Sequence, residues 1–196
     1  MTTPRYPSLY QVNTRVCLTE LSGKLNRPAR LDDIPDAELD RIAERGFDWV
    51  WLLSVWQTGV AAQKISRANP EWCKDFQATL PDLCEEDIAG SGFAIRNYTV
   101  HENLGGAPAL GRLRERLQQR GIKVLLDFVP NHMAPNHPWV DEHPDYFVHG
   151  TEADLARAPQ NYCRTQTKNG PLMLAYGRDP YFTAGARHTA AQLRQP

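Results

Sequence analysis

The sequence predicts an α/β fold in which parallel strands alternate with helices. Three observations carry this prediction. The segment Asp48–Val55 is a nearly continuous apolar run, which is typical of a strand buried on both faces of a parallel sheet. A second apolar run, Lys123–Phe128, ends in a carboxylate at Asp127. A helical pattern precedes each run, and strands that alternate with helices favour a parallel sheet with right-handed connections.

The first half of the chain contains two predicted strands and one predicted helix. Leu9–Val16 alternates enough to indicate the first strand. Asp36–Arg45 predicts a helix, because Leu39 and Ile42 lie three positions apart and acidic residues occupy the first turn. Gly46 suits the end of that helix, and the second strand follows it directly.

The middle of the chain is a long connection that leads to a third helix–strand unit. Residues 57–92 are irregular, with Val60–Arg67 and Glu71–Ala78 as candidate short helices. A connection of this length usually carries elements of its own or a function. After the aromatic segment Phe93–Val100, the leucines of Pro108–Arg120 fall on one face and predict a helix that leads into the third strand.

The alternation of strands and helices ends at Ala134. From there onward prolines recur, with aromatic residues scattered among them. This composition indicates an inserted, loop-rich subdomain rather than another helix–strand unit. We therefore expect residues 1–133 to form the α/β portion and residues 134–196 to form an incomplete inserted subdomain.

The composition argues against several classes of protein. Lys plus Arg number 22 and Asp plus Glu 23, for a net charge of −1, so nothing in the charge balance attracts nucleic acid or a membrane surface. The apolar runs are too short to span a bilayer, and the first residues lack the apolar core of a signal peptide. The four cysteines show no zinc-type spacing, and we expect them to be reduced thiols in a cytoplasmic protein.

The main candidate site is the motif D-x-x-x-N-H formed by Asp127, Asn131 and His132. A parallel sheet builds the edge of an active site from side chains at the carboxyl ends of its strands. The carboxylate can hold a cation, the amide oxygen suits a hard metal ion, and the imidazole can bond a substrate hydroxyl. The alternative is that Asp127 caps a turn and His132 is a solvated loop residue, and the pattern alone favours neither.

Two aromatic segments are further candidates. Phe93 and Tyr98 lie in Gly92–Gly106 and offer flat apolar faces to a sugar ring, although alone each would more often be a core residue. Residues 176–182 combine two aromatic residues, a cation and a carboxylate, which suits a saccharide or an ordinary surface loop equally well. The remaining histidines fit no metal-binding helix, and the chain contains no glycine-rich phosphate loop.

Together these segments resemble the N-terminal part of the catalytic domain of the α-amylase family of glycoside hydrolases. Tyr10–Arg15 resembles the first barrel strand of that family and Gly46–Leu52 the second. Gly92–Gly106 resembles its G-Y-x-x-x-D-Y segment, and Asp127–His132 matches its D-x-x-x-N-H motif in full. The resemblance runs to about Phe182. It implies a TIM (β/α)8 barrel, of which this chain contains strands 1–3 with their helices and the start of the domain inserted after strand 3.

The resemblance also implies roles for single residues. His132 would bond a hydroxyl of the glucosyl unit at the cleavage subsite, and Asp127 would orient a sugar-site arginine that this chain does not contain. Asn131 would correspond to a calcium ligand of the calcium-binding members. Phe93 stands where many members have a stacking tyrosine, so it keeps the apolar face and lacks the hydroxyl. Tyr98 is the second aromatic residue of that segment and a candidate for binding the same sugar.

The family's reaction needs two carboxylates for which this sequence has no matching motif. Retaining glycoside hydrolysis uses a nucleophile and an acid/base about 5 Å apart, and in this family they come from the fourth and fifth strands. A complete barrel needs roughly 250 residues, more than the 196 present. We therefore expect no catalytic residue in this chain and no activity from it alone. A shifted reading frame near residue 183, or a gene fragment, would explain the changed composition of the tail.

Three functional hypotheses remain. The first is a glycosidase of this family that acts on α-glucosides or α-glucans by retaining double displacement, a mechanism that glucosyltransferase and isomerase relatives share. The second is a non-catalytic, sugar-binding or partner-dependent partial barrel, whose exposed strand edges would promote association. The third is a small metallohydrolase that uses Asp127 and His132, although it lacks further ligands at a suitable spacing.

Overall fold

The computed structural model describes residues 6–176 and 191–192. These residues fall into two compact units. The first unit holds the described residues up to Gln57 together with Tyr98–Phe128, and the second holds Thr58–Asn97 together with the described residues from Val129 onward. The division into domains at residues 133 and 134 stays a prediction.

In the first two thirds of the chain, the described elements include the predicted strands and helices together with further elements that were not predicted. The strands are β1 (Leu9–Asn13), β2 (Trp49–Leu53), β3 (Trp56–Thr58), β4 (Ile95–Val100), β5 (Lys123–Leu126), β6 (His132–Met133), β7 (Tyr162–Thr167), β8 (Gly170–Ala175) and β9 (Ala191–Gln192). The α-helices are α1 (Thr14–Leu25), α2 (Asp36–Glu44), α3 (Val60–Arg67), α4 (Pro70–Thr79), α5 (Gly106–Gln119), α6 (Trp139–Glu142) and α7 (Glu152–Arg157). Short 3-10 helices lie at Leu31–Asp33, Glu85–Asp87, Glu102–Leu104 and Pro144–Tyr146.

The first unit is built on a three-stranded parallel sheet in the order β1-β2-β5. Leu9 pairs with Trp49 at one end of the sheet, and Trp49 pairs with Lys123. The predicted parallel arrangement is confirmed. In β2 only Val50 and Leu52 are buried, and the other residues of the strand are half-buried. The strand is therefore buried on one face, and not on both faces as the sequence predicted.

Helix α1 corrects the prediction of a strand over residues 9–16. The strand ends at Asn13, whose side chain accepts a hydrogen bond from the Val16 backbone N–H at 3.4 Å and caps the helix. Thr14, Leu18 and Leu21 are buried, at the spacing that places side chains on one helical face. The alternation seen in the sequence therefore continued by chance into a segment whose cap and burial period are helical.

Helices α2 and α5 complete the core of the first unit, and both were predicted. Leu39 and Ile42 of α2 are buried in one cluster with Leu113 and Leu117 of α5. Burying each such side chain stabilises the unit by roughly 1.5–3 kcal/mol. Helix α5 begins at Gly106, two residues before the predicted start.

A row of ion pairs on the surface connects α5 and the residue that follows it with α2 and the segment that precedes it. Arginines one helical turn apart each meet an aspartate. The pairs are Arg112 with Asp32, Arg116 with Asp36, and Arg120 with Asp36 and Asp40.

The second unit begins with two short helices that the sequence predicted. Helix α4 starts at Pro70, and the side chain of Asn69 accepts hydrogen bonds from the backbone N–H groups of Glu71 and Trp72. Proline at the first position and asparagine as the cap are both favourable at a helix start.

The second unit also contains a β-hairpin within the segment that the sequence indicated to be loop-rich. Strands β7 and β8 pair antiparallel from Tyr162↔Ala175 to Thr167↔Gly170. The Asn169-Gly170 dipeptide at the turn is a recognised hairpin signal, but Pro171 obscured the alternation of the second strand. Strand β6 pairs antiparallel with β9 in the same unit.

Candidate functional site

Asp127 lies directly after β5 and is 7% exposed. Its Oδ1 accepts a hydrogen bond from Trp51 Nε1 at 2.8 Å, and its Oδ2 accepts one from the Ser54 backbone N–H at 2.6 Å. Its backbone carbonyl accepts a hydrogen bond from Trp56 Nε1 at 2.7 Å. Asp127 therefore joins the carboxyl end of β5 to the carboxyl end of β2.

The turn that Asp127 holds contains a strained residue. Ser54 is buried and has φ of +63°, the left-handed conformation that costs an L-residue roughly 1–2 kcal/mol. Its N–H donates to the Asp127 carboxylate, which is a stronger acceptor than a neutral oxygen. This contact favours the turn-capping interpretation of Asp127 within the first unit.

Three aromatic rings accompany Asp127 in the first unit. The ring centroids of Trp56 and Tyr98 are 5.3 Å apart in an edge-on arrangement, and those of Tyr98 and Phe128 are 6.2 Å apart. Phe128 is 78% exposed. An exposed ring beside polar groups suits the apolar face of a sugar. The sequence singled out Tyr98 but missed Trp56 and Phe128, because only the fold brings residues from three segments together.

Asn131 and His132 lie in the second unit, where both are half-buried and His132 begins β6. Asn131 Nδ2 and His132 Nδ1 are 3.2 Å apart. An amide NH2 can only donate, so this contact requires the lone pair on Nδ1 and, in the neutral ring, the proton on Nε2. The contact therefore places the ring proton of neutral His132 on Nε2 and leaves Asn131 Oδ1 as the acceptor of that amide.

Phe93 also lies in the second unit, just before β4, and is 39% exposed. Its backbone N–H donates to Ser91 Oγ at 3.2 Å, and the neighbouring Ala94 is buried against Ala62 and Ala134. The backbone of Phe93 is therefore held in place while part of its ring is exposed, as stacking on a ligand requires. Of the candidate segment 176–182, only Tyr176 lies within the described residues.

The described residues contain neither a metal-binding cluster nor a membrane-spanning helix. Residues 6–176 and 191–192 contain no group of three or more His, Cys, Asp or Glu side chains arranged to hold a metal ion. The calcium role of Asn131 stays a prediction. Within the same residues, no helix has the length and apolar character needed to cross a membrane.

The parallel sheet, with polar side chains at the carboxyl ends of β2 and β5, places the chain among α/β proteins. The sequence comparison is more specific. The family model described as alpha amylase, catalytic domain, matches residues 36–173. The chain therefore belongs to the α-amylase family, and the resemblance seen in its motifs is confirmed.

Similar curated proteins include transferases and a glucosidase. An α-1,4-glucan:maltose-1-phosphate maltosyltransferase of Salinibacter ruber is 32% identical over 147 residues, which cover 68% of this chain and 20% of the relative. The enzyme of that name from Burkholderia pseudomallei is 30% identical over 81% of this chain and 13% of its own length. An α-glucosidase of Apis mellifera is 31% identical over 55% of this chain and 15% of its own length. The chain spans a fifth or less of these relatives.

Solved structures with the same fold include an α-amylase from Lactobacillus plantarum, with a TM-score of 0.58 and 21% identity over 95% of this chain and 31% of that one. The isomaltulose synthase of a Klebsiella species matches with a TM-score of 0.54 and 17% identity, over 95% of this chain and 29% of its own. Identities this low show the fold alone. They confirm that the chain forms part of a TIM barrel.

Proposed function

We propose that this chain is the N-terminal barrel portion of a protein that acts on α-glucosidic bonds in α-glucosides or α-glucans. The observation that carries the proposal is the family match, because residues 36–173 include the whole Asp127–His132 motif. The proposed chemistry is a retaining double displacement, in which a carboxylate attacks the sugar and a second carboxyl group acts first as acid and then as base.

His132 is the residue we assign to a glucosyl hydroxyl. Its contact with Asn131 at 3.2 Å supports an Nε2–H that donates to a hydroxyl oxygen. Phe93 and Tyr98 are assigned to the apolar face of the sugar, and the exposure of the Phe93 ring supports stacking. Asp127 is assigned a positioning role, and Asn131 is the residue that would offer an oxygen to calcium.

Binding of maltotriose tests these assignments. We expect His132→Ala to weaken the affinity measured by titration calorimetry about tenfold, the effect of losing roughly one well-made hydrogen bond to ligand. His149→Ala is the matched control, since His149 is an exposed histidine of the same unit that contacts the Pro144 carbonyl. Equal affinities for the two variants would contradict the role of His132.

We assign no nucleophile and no acid/base to this chain, and we propose that the 196 residues alone do not cleave α-glucosides. The test incubates the purified chain with maltose, sucrose or soluble α-glucan and measures the reducing sugar released. We expect no release above the buffer blank. Release that His132→Ala abolishes, in a variant purified in the same way, would overturn this part of the proposal.

Glycosyl transfer is the second candidate, because several of the similar proteins are maltosyltransferases, at 32% and 30% identity for two of them. By analogy with their name, the donor would be maltose-1-phosphate and the acceptor an α-1,4-glucan. Calorimetry with maltose and with maltose-1-phosphate separates the candidates. Binding of the phosphate ester at least about tenfold tighter than maltose, equivalent to roughly 1.4 kcal/mol, would favour transfer, and equal binding would favour hydrolysis.

We also propose a cytoplasmic location. Cys17, Cys73, Cys84 and Cys163 are all free thiols, which is the usual state of cysteines in a reducing compartment. Immunodetection in fractionated source cells tests this, and recovery of the protein outside the cytoplasm would contradict it.

A further inference from the structure

The second unit contains a cavity of about 340 Å³ that none of the residues discussed above lines. Three separated segments form its walls: Arg96 from β4, the stretch from Pro135 to Glu142 that enters α6, and the tip of the β7–β8 hairpin. The Lys168 backbone N–H donates to Asp141 Oδ1 at 2.9 Å. This hydrogen bond fixes the tip of the hairpin against α6, so these two parts of the cavity wall hold each other in place.

The buried part of the wall offers one donor and one acceptor. His137 is 7% exposed, and its Nδ1 accepts a hydrogen bond from the Trp139 backbone N–H at 3.1 Å. Burial lowers the pKa of His137 and the nearby Arg96 lowers it further, while Glu142 opposes them. Because Nδ1 accepts the Trp139 N–H, the neutral ring carries its proton on Nε2.

The acceptor belongs to Asn136. Within the part of the chain that the structure describes, its Oδ1 is buried and has no hydrogen-bond partner. Buried polar atoms are nearly always paired, and an exception calls for an explanation such as a water or a ligand. The amide packs against Gly59, where a Cβ would lie 2.5 Å from Nδ2 and 2.6 Å from Oδ1, and Asn136 is also one of the residues that line the cavity.

The charges around the cavity decide which class of ligand fits. Arg96 and Lys168 supply two cations, and Asp141 and Glu142 supply two carboxylates. An inorganic anion would meet both carboxylates, and a metal ion would meet both cations, so like charges oppose either one. A hydroxyl group both donates and accepts, so a neutral ligand with several hydroxyls can use every one of these groups.

We propose that this cavity binds a neutral, hydroxyl-rich molecule of one or two sugar units. Its volume of about 340 Å³ lies at the lower end of the range for small-molecule sites, roughly 300–1,000 Å³. The lining of the cavity includes neither His132 nor Phe93, so this site does not depend on the function proposed above.

The experiment is a titration of the full isotope-labelled chain with maltose, followed by two-dimensional NMR. We expect saturable shifts of the Lys168 amide, the Gln166 side-chain amide and the His137 ring. Arg96→Gln and Glu142→Gln change exposed residues of the lining. Each should weaken the affinity for maltose, as determined from these shifts, about tenfold. Arg114→Gln, an exposed arginine of α5, is the matched control and should bind like the wild type.

Three results would overturn the inference. One is the absence of saturable shifts at the cavity residues with maltose, in a chain whose spectrum is otherwise folded. Another is saturation of those signals by phosphate or by calcium ions but not by maltose, which would make the site ionic. The third is wild-type affinity in both Arg96→Gln and Glu142→Gln. The variant His132→Ala separates the two proposals. If it leaves all maltose binding unchanged, including the shifts at the cavity residues, the function proposed for His132 is contradicted and the cavity site is still supported.

Discussion

Replacement of Asp127 tests how firmly the carboxyl ends of β2 and β5 are joined. Asp127→Ala removes the acceptor of the Ser54 backbone N–H and the acceptor of Trp51 Nε1. The Ser54 N–H is buried, so the loss of a charged acceptor there costs roughly 1.5–3 kcal/mol. Trp51 is half-buried and regains part of its hydrogen bonding from water. We expect the free energy of unfolding to fall by about 3 kcal/mol in all.

The isosteric variant separates charge from size. Asp127→Asn keeps one acceptor oxygen and turns an NH2 group toward the other donor, so we expect a loss of about 2 kcal/mol. Asp145→Asn is the matched control, because Asp145 is exposed, and its effect should stay within about 0.5 kcal/mol. Urea unfolding, followed by far-ultraviolet circular dichroism and by tryptophan fluorescence, gives the free energies.

An Asp127→Ala variant within about 0.5 kcal/mol of the wild type would refute the reasoning. It would mean that water replaces both bonds or that the turn relaxes without loss. Ser54→Gly distinguishes these outcomes, since glycine adopts the left-handed conformation without strain. If Asp127 holds the strained turn, the cost of Asp127→Ala should be smaller in the Ser54→Gly background, and the difference is the coupling between the two sites.

Three further predictions concern the first unit. Arg116→Ala should lower the free energy of unfolding by about 1–2 kcal/mol, because the guanidinium donates to two backbone carbonyls as well as to a carboxylate; urea unfolding measures this. Hydrogen bonds from Arg27 and from the Arg30 backbone lower the pKa of Asp33 to about 2. Because the folded-state pKa is depressed, the stability from this group is present above pH ~4 and is lost as the pH falls toward 2; carboxyl NMR titration should show the low midpoint, and Arg27→Gln should raise it. Gly105→Ala should destabilise the chain by at least ~1–2 kcal/mol, because φ is +91° and a Cβ would lie 2.6 Å from the Ala109 Cβ. A Cβ at Gly111 meets nothing within 4 Å, so Gly111→Ala should stabilise helix α5 by about 0.5–1 kcal/mol. Thermal unfolding of the two variants measures both effects.

The parallel sheet was predictable because its signal is local. Strands β2 and β5 are short apolar runs bounded by a helix end and a polar turn, and that pattern needs no knowledge of distant residues. Helix α1 was missed because the local pattern was ambiguous. Thr14 and Val16 continued the alternation of β1, and only the burial of Leu18 and Leu21 showed which period applies.

The contacts of the candidate site were not predictable in the same way. Asp127 reaches Ser54 and Trp51 across 73 and 76 positions of the sequence, and no local pattern encodes such pairs. The cavity of the second unit is formed by three segments for the same reason. The sequence named Asp127, Asn131 and His132 through their type and spacing, but of the aromatic side chains that accompany Asp127 it named only Tyr98.

The three residues of the motif differ in how far packing explains them. Both carboxylate oxygens of Asp127 accept hydrogen bonds, one from a backbone N–H and one from an indole N–H. The fold alone therefore explains a buried carboxylate at that position. Asn131 and His132 are both half-buried, and the contact between them sets which nitrogen of the His132 ring carries the proton. The sugar-binding role that we propose for the motif therefore rests on His132, oriented by Asn131, whereas the contacts of Asp127 within the first unit already account for its burial.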